Sequence, residues 1–389
     1  MDPKDYFSDD LAEATAKFRG LADARGIQLD SHVHPLKGPN GETLETLSAW
    51  IGRRDAPNVM VMTSGVHGTE AMVGAGLQAW IMDQWERFLQ GHSDTRLVLI
   101  HAINPWGAAH GRYVNEDNVD LNKNITYGAH APPADPIFLE FDDAIDLKRV
   151  TDEAAYDQVF ASRRDIVARH GGEKVMEAFK KGQRERPKSI CYNGVVDSWS
   201  KTTLDAILAE ALPGARKVLY VDLHSGMGEW GEAYVVVGGD TTSQDRIRAW
   251  LGEQAHDSDL PMTIPQYSPL GRFAPEAEFT AVTLEGGTAV FDSEFNKMMW
   301  LEMHFAMFGD PRCAKAAEVR EKFKAYYYPR SDEWRRNSGA TARRCWNCSV
   351  TKLATGLLKR RRPDENPAAL RHRFRPRDPG SRQNPGDRS

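Results

Sequence analysis

Val59-Met60-Val61-Met62, leading into Ser64-Gly65-Val66-His67-Gly68-Thr69-Glu70, decides the fold of this chain. The short apolar run reads as a buried strand, and the polar segment after it reads as the strand's carboxyl-end turn. In an α/β protein that edge faces the crevice where ligands bind. A histidine and a glutamate three residues apart at such an edge reach one zinc ion. A third ligand is needed, and it stands at the end of a second apolar run, Tyr220-Val221-Asp222-Leu223-His224-Ser225-Gly226. Neighbouring strand ends would gather His67, Glu70 and His224 and leave one coordination position open for water. That open position separates a catalytic zinc from a structural one.

Working outward, helical spacing covers 9–25, a strand 45–52 and a turn 53–57. A helix over 71–88 and a strand over 96–102 flank the quoted stretch. Strand–helix–strand alternation predicts an α/β/α sandwich with a mixed, mostly parallel central sheet. Residues 104–124 read as a long polar loop, of the kind that is usually functional. Two or three helices are expected over 143–181, another over 202–212, and strands over 217–223, 232–237 and 279–284. Helices over 293–307 and 314–326 close a catalytic domain of residues 1–330, with an insertion at about 125–216 that shapes or covers the pocket.

The chain has 389 residues and a net charge of −5. Residues 331–389 carry 15 Lys and Arg against 6 Asp and Glu, leaving 35 against 49 before them. The tail therefore reads as basic, solvated and disordered, with an anionic-surface or nucleic-acid arm as the lesser alternative. From the acidic body no nucleic-acid binding is expected. No apolar run reaches eighteen residues, and the start lacks an apolar signal core, so a cytoplasmic protein with no membrane partner is expected. The cysteines (191, 313, 345, 348) form no disulfide framework, and Cys345-Trp346-Asn347-Cys348 is only half of a zinc knuckle.

Four ordered segments now matter together: Gly65–Glu70, Val114–Asn122, the stretch 182–203, and Asp222–Gly226. With Thr283-Leu284-Glu285-Gly286 they resemble the zinc carboxypeptidase superfamily, which includes the aspartoacylase and succinylglutamate desuccinylase deacylases. The likeness is nearest a poorly characterised bacterial branch and spans about residues 30–330. It implies His67, Glu70 and His224 as ligands of one zinc ion, and Glu285 as the general base that activates a zinc-bound water. It also implies Arg112 as the group that polarises the scissile carbonyl and binds substrate. Asn122 and Lys123 would bind a substrate carboxylate, and Asp120 would accept the free N–H of His67 and fix its tautomer. The implied activity is hydrolysis of an amide bond next to a carboxylate, in a peptide or a small molecule. An N-acyl amino acid deacylase is the first alternative, and a catalytically silent binding protein of the same fold the second. Glu285 argues against the latter, since a binder needs no base.

Two departures stand out. Lys123 replaces the arginine of most relatives and offers a point charge instead of a fork. After the segment Tyr327-Tyr328-Pro329-Arg330-Ser331-Asp332-Glu333-Trp334-Arg335, Arg- and Pro-rich sequence takes the place of a final apolar helix, so loss of the cover that helix gives the sheet is expected. Tyr267 and Tyr234 are the candidates for a substrate-covering tyrosine. His32-Val33-His34 reads as an exposed polar lead-in rather than a ligand pair.

Overall fold

The computed structural model describes residues 2–161, 163–237, 241–251, 255–256, 267–288 and 293–341. Its sheet has eight strands: β1 (Gln28–Lys37), β2 (Thr43–Ile51), β3 (Asn58–Ser64), β4 (Thr95–His101), β5 (Lys217–Gly226), β6 (Ala233–Val237), β7 (Ala255–His256) and β8 (Glu278–Gly287). Their spatial order is β1-β2-β4-β3-β5-β8-β6-β7. The central strands β4, β3, β5 and β8 run parallel. Antiparallel pairs flank them, β1–β2 and β2–β4 on one side and β8–β6 on the other, with β7 parallel to β6.

Strand periodicity sorts the core into two layers. Val59 and Val61 of β3, Val98 and Ile100 of β4, and Val218 and Tyr220 of β5 pack on one face. Helix Trp199–Ala211 covers that face through Leu204, Ile207 and Leu208. Met60, Met62, Leu97, Leu99, Leu219 and Val221 pack on the other. There, helices Leu11–Ala24 and Ala71–Asp83 bring in Phe18, Val73, Leu77 and Ile81. Because both faces are covered, the central strands read as continuous apolar runs rather than alternating ones. A third core lies in the insertion: Phe141 and Phe160 of helices Pro136–Ile145 and Glu153–Ala161 pack on Trp300 of helix Ser293–Met307.

Several local expectations change. The lead-in 28–37 is an edge strand, and His34 within it is 2% exposed rather than solvated. Its Nδ1 accepts the Leu36 N–H, and its ring meets Trp199 edge-on at 4.5 Å. The 104–124 stretch holds two short helices, Pro105–His110 and Leu121–Tyr127. Asn104 caps the first by accepting the Gly107 N–H, with proline at the first helical position. Both helices are too short for periodicity to show.

The body does not stop at residue 330. Asp332–Thr341 is a helix. Its Trp334 is fully buried, packs edge-on against Phe7 and Tyr328, and donates its indole N–H to the Gly287 carbonyl at 3.0 Å. The basic tail beyond residue 341, with Cys345 and Cys348 and the stretch where a final apolar helix was expected to be replaced, lies outside the described residues. Trp334→Ala is expected to cost about 3–5 kcal/mol in denaturant unfolding, the usual cost of deleting a buried large aromatic. A loss below about 1 kcal/mol would return the domain boundary to residue 330.

Candidate metal centre

Two glycines shape the turn that follows β3. Gly65 has φ +70°, and a Cβ there would stand 2.9 Å from the Ala71 Cβ. Gly68 is pressed on the next segment, where a Cβ would lie 2.2 Å from the Gly107 carbonyl carbon. Its N–H donates to the Tyr113 carbonyl at 3.1 Å. The turn is therefore fixed on both sides, and it delivers His67 and Glu70 to the sheet's carboxyl edge.

His67, Glu70 and His224 offer three ligand atoms within 4.8 Å of one another, all on buried residues. Each imidazole faces the carboxylate with the same nitrogen: Nδ1 of His67 is 2.9 Å from Glu70 Oε1, and Nδ1 of His224 is 2.9 Å from Oε2. The Ser225 N–H also donates to Oε2, at 3.0 Å. Burial raises the Glu70 pKa, but the two imidazoles outweigh it and hold the group near 2. For His224 burial works against protonation, and the carboxylates of Asp222 and Glu70 overcome it, so its pKa is raised. Two nitrogens and a carboxylate oxygen form the donor set of a three-ligand zinc site with an open position, and this cluster fits it.

Each ring's outward nitrogen meets an aspartate. His224 Nε2 lies 2.6 Å from Asp222 Oδ2. His67 Nε2 lies 3.6 Å from Asp120 Oδ1, an ion-pair contact beyond hydrogen-bond reach. Lys123 pairs with the other oxygen of Asp120. Burial lowers the Lys123 pKa, Asp120 more than offsets it, and the lysine stays charged. Asn122 touches Tyr267, whose Oη is 2.9 Å from Asn122 Oδ1 and also donates to Asp222. One phenol proton does not serve two acceptors, so an amide flip presenting Asn122 Nδ2 satisfies both contacts.

Glu285 follows from register. β5 and β8 pair with Asp222 opposite Thr283 and His224 opposite Glu285. Glu285 is 7% exposed, and its Oε2 is buried without a hydrogen-bond partner. Burial pushes its pKa up to about 7, with Glu70 adding to the rise and His224 and His67 opposing it.

Arg112 stands apart from these groups in its pairing. Its Nε forms a buried ion pair of 2.7 Å with Glu302 of helix Ser293–Met307, not with Glu116 or Asp117 nearby in the chain. The next residue, Tyr113, stacks on His67 with ring centroids 3.7 Å apart. Tyr327 packs beside Tyr113 at 5.6 Å. Sequence reasoning missed Asp222, Tyr113, Tyr327 and Glu302. Only Asp222 carried a signal, since Asp-x-His on a strand puts both side chains on one face. Tyr267, a candidate to cover substrate, instead lies 1% exposed behind His224. The side chain of Tyr234 lies outside the described residues. A cavity of about 520 Å³ opens on the opposite sheet face, near Leu11, Thr15, Arg19 and Met72, and meets the turn only through Gly68 and Thr69.

Comparison with known sequences places the matched region at residues 7–340, in a family described as "Protein of unknown function (DUF2817)". The chain belongs to this family. No curated protein matches it. Among solved structures, thrombin-activatable fibrinolysis inhibitor (TAFI) matches this DUF2817 chain with a TM-score of 0.50 at 11% identity, over 90% of this chain and 74% of the other. Bovine TAFI in complex with tick carboxypeptidase inhibitor gives 0.48 at 10% identity, over 90% and 97%. Carboxypeptidase A from Helicoverpa armigera gives 0.40 at 13%, over 81% and 73%. The likeness is one of fold: the DUF2817 chain shares the α/β architecture of TAFI.

The buried Glu285 yields a stability test. Its protonated form is favoured in the fold, so metal-free protein binds an extra proton between pH 4.5 and 7. Stability contributed by this group is present below pH 4.5 and is lost as pH rises to 7, by about 3 kcal/mol. Metal-free Glu285→Gln, neutral throughout, is expected to gain on the wild type across that window in urea unfolding. Parallel pH profiles for the two proteins would show that Glu285 is not buried unpaired.

Proposed function

We propose that this chain is a zinc-dependent hydrolase of an amide bond next to a carboxylate. The single observation that supports it best is the pairing of His224 with Glu285 in the β5–β8 register, beside the His67–Glu70 turn. It sets a buried carboxylate with one free oxygen next to a three-ligand cluster with His2Glu chemistry.

His67, Glu70 and His224 would hold the ion. Zinc bound there supplies Lewis acidity and makes a water more acidic, toward a pKa of about 7. Glu285 takes the proton from the attacking water on its free Oε2 and passes it to the leaving amine. A carboxyl with a pKa near neutrality suits both halves of that transfer. Arg112 pairs with Glu302 through Nε and faces Met303 Sδ with Nη2, and its remaining guanidinium N–H groups donate to the developing oxyanion. The Asn122 amide and the ammonium N–H groups that Lys123 does not give to Asp120 orient the substrate carboxylate. Lysine does so with looser geometry than a guanidinium fork.

The test is metal analysis of the purified protein with a panel of dipeptides and N-acyl amino acids. About one zinc per chain is expected. Glu285→Gln is expected to keep the metal and lose turnover by roughly 10²–10⁴-fold, and His224→Ala to lose the metal. Normal turnover in Glu285→Gln removes Glu285 as the base, and full zinc in His224→Ala removes the third ligand. Turnover confined to N-acyl amino acids would move the assignment to a deacylase.

A further inference from the structure

We infer that Asp222 and Tyr267 are positioning residues for His224, holding its ring with Nε2 protonated and Nδ1 presented to the site. The inference rests on the reading of His224 as a metal ligand.

Asp222 and His224 are alternate residues of β5 and so project from one face of the sheet. Asp222 is fully buried. Three groups converge on its carboxylate: the Thr63 hydroxyl donates to Oδ1 at 2.6 Å, while His224 Nε2, also at 2.6 Å, and the Tyr267 hydroxyl meet Oδ2. The Thr63 and Tyr267 hydroxyls both give their protons to this carboxylate, so the short contact to His224 is made by a proton on Nε2. In a neutral imidazole the lone pair is then on Nδ1, the atom that faces Glu70. His67 is held less firmly, since its Nε2 is 3.6 Å from Asp120.

Tyr267 completes the chain of contacts. It precedes the turn Ser268–Phe273, its ring packs at 4.9 Å on Tyr220, and its hydroxyl touches both Asp222 and Asn122. The same phenol thus ties the orientation of a ligand imidazole to the side chain at the expected carboxylate-binding position. Its burial and its spent proton set it behind the site rather than over the substrate. Phenylalanine at this position keeps the ring packing and removes only the hydroxyl.

The experiment uses the full chain at one fixed pH. Zinc affinity is measured by competition with a chromogenic chelator, and the imidazole nitrogens are followed by ¹⁵N NMR with and without zinc. Metal-free wild type is expected to show an exchange-protected Nε2–H from His224, and the zinc form to coordinate through Nδ1. Asp222→Asn should weaken zinc binding roughly 10- to 100-fold. Tyr267→Phe should weaken it by about threefold or more and speed exchange of the Nε2–H. Wild-type zinc affinity in Tyr267→Phe, even with a lowered melting temperature, would reduce Tyr267 to packing and overturn its role. Coordination through Nε2 would overturn the whole inference. If Asp222→Asn does not fold, Tyr267→Phe and the wild-type spectra decide the matter. Failure of the wild type to bind zinc would sink the proposed function, while the Nε2–H signal of metal-free protein still judges this one.

Discussion

The parallel register of β3, β5 and β8 is the constraint on which the rest depends. It sets Thr63 opposite Asp222, Asp222 opposite Thr283, and His224 opposite Glu285. All of these are on the face that carries Val61, Tyr220 and Ala281. A slip of one residue in β8 would turn Glu285 to the opposite face, among Val282 and Leu284. The apolar residues on either side prevent that slip, because each strand would then expose its packing set to the wrong layer. Core packing and site geometry are therefore one specification: the side chains that fill the two layers also fix the polar ones at the strand ends.

The second constraint is electrostatic. Glu70, Asp120, Asp222, Glu285, His67 and His224 are all buried. Isolated, each charge would be expensive there. The cost is met by mutual pairing: imidazoles against Glu70, His224 against Asp222, and Lys123 against Asp120. Glu285 is the member left over: burial raises its pKa, Glu70 adds to the rise, and the two imidazoles do not cancel it. A carboxyl kept near neutrality beside an ionised one is the division of labour that acid–base chemistry requires.

Much of this was legible in the sequence, for physical reasons. Runs such as Val59–Met62 and Val218–Val221 are wholly apolar and each leads within a few residues into a histidine-bearing polar segment, so both the strands and the chemistry at their ends were visible. The set His67, Glu70 and His224 could be read because ligand types recur only where strand ends meet. Pairings made between distant segments left no such mark. Glu302 sits in a helix with nothing to announce that Arg112 is its partner, and Tyr267 reaches Asp222 across 45 residues. His34 was misjudged because Asp30 and Pro35 around it suggest solvent, whereas Trp199 supplies a wall the local sequence does not contain. The helix at 332–341 was overlooked because one tryptophan, rather than a stripe, does its anchoring.

That last helix binds residues far apart in the order of synthesis. Lys4 pairs with Asp332, Asp9 with Arg335, and the Tyr328 hydroxyl donates to the Ser8 carbonyl, while Trp334 grips the end of β8. On a ribosome, the segment around residues 4–9 emerges first and waits for a partner made more than three hundred residues later. Contacts of such separation close slowly. The apolar surface of Phe7 lacks its Tyr328 and Trp334 cover until residues 328–334 have been made, so a nascent chain of this protein is a natural client for chaperones that shield such surface.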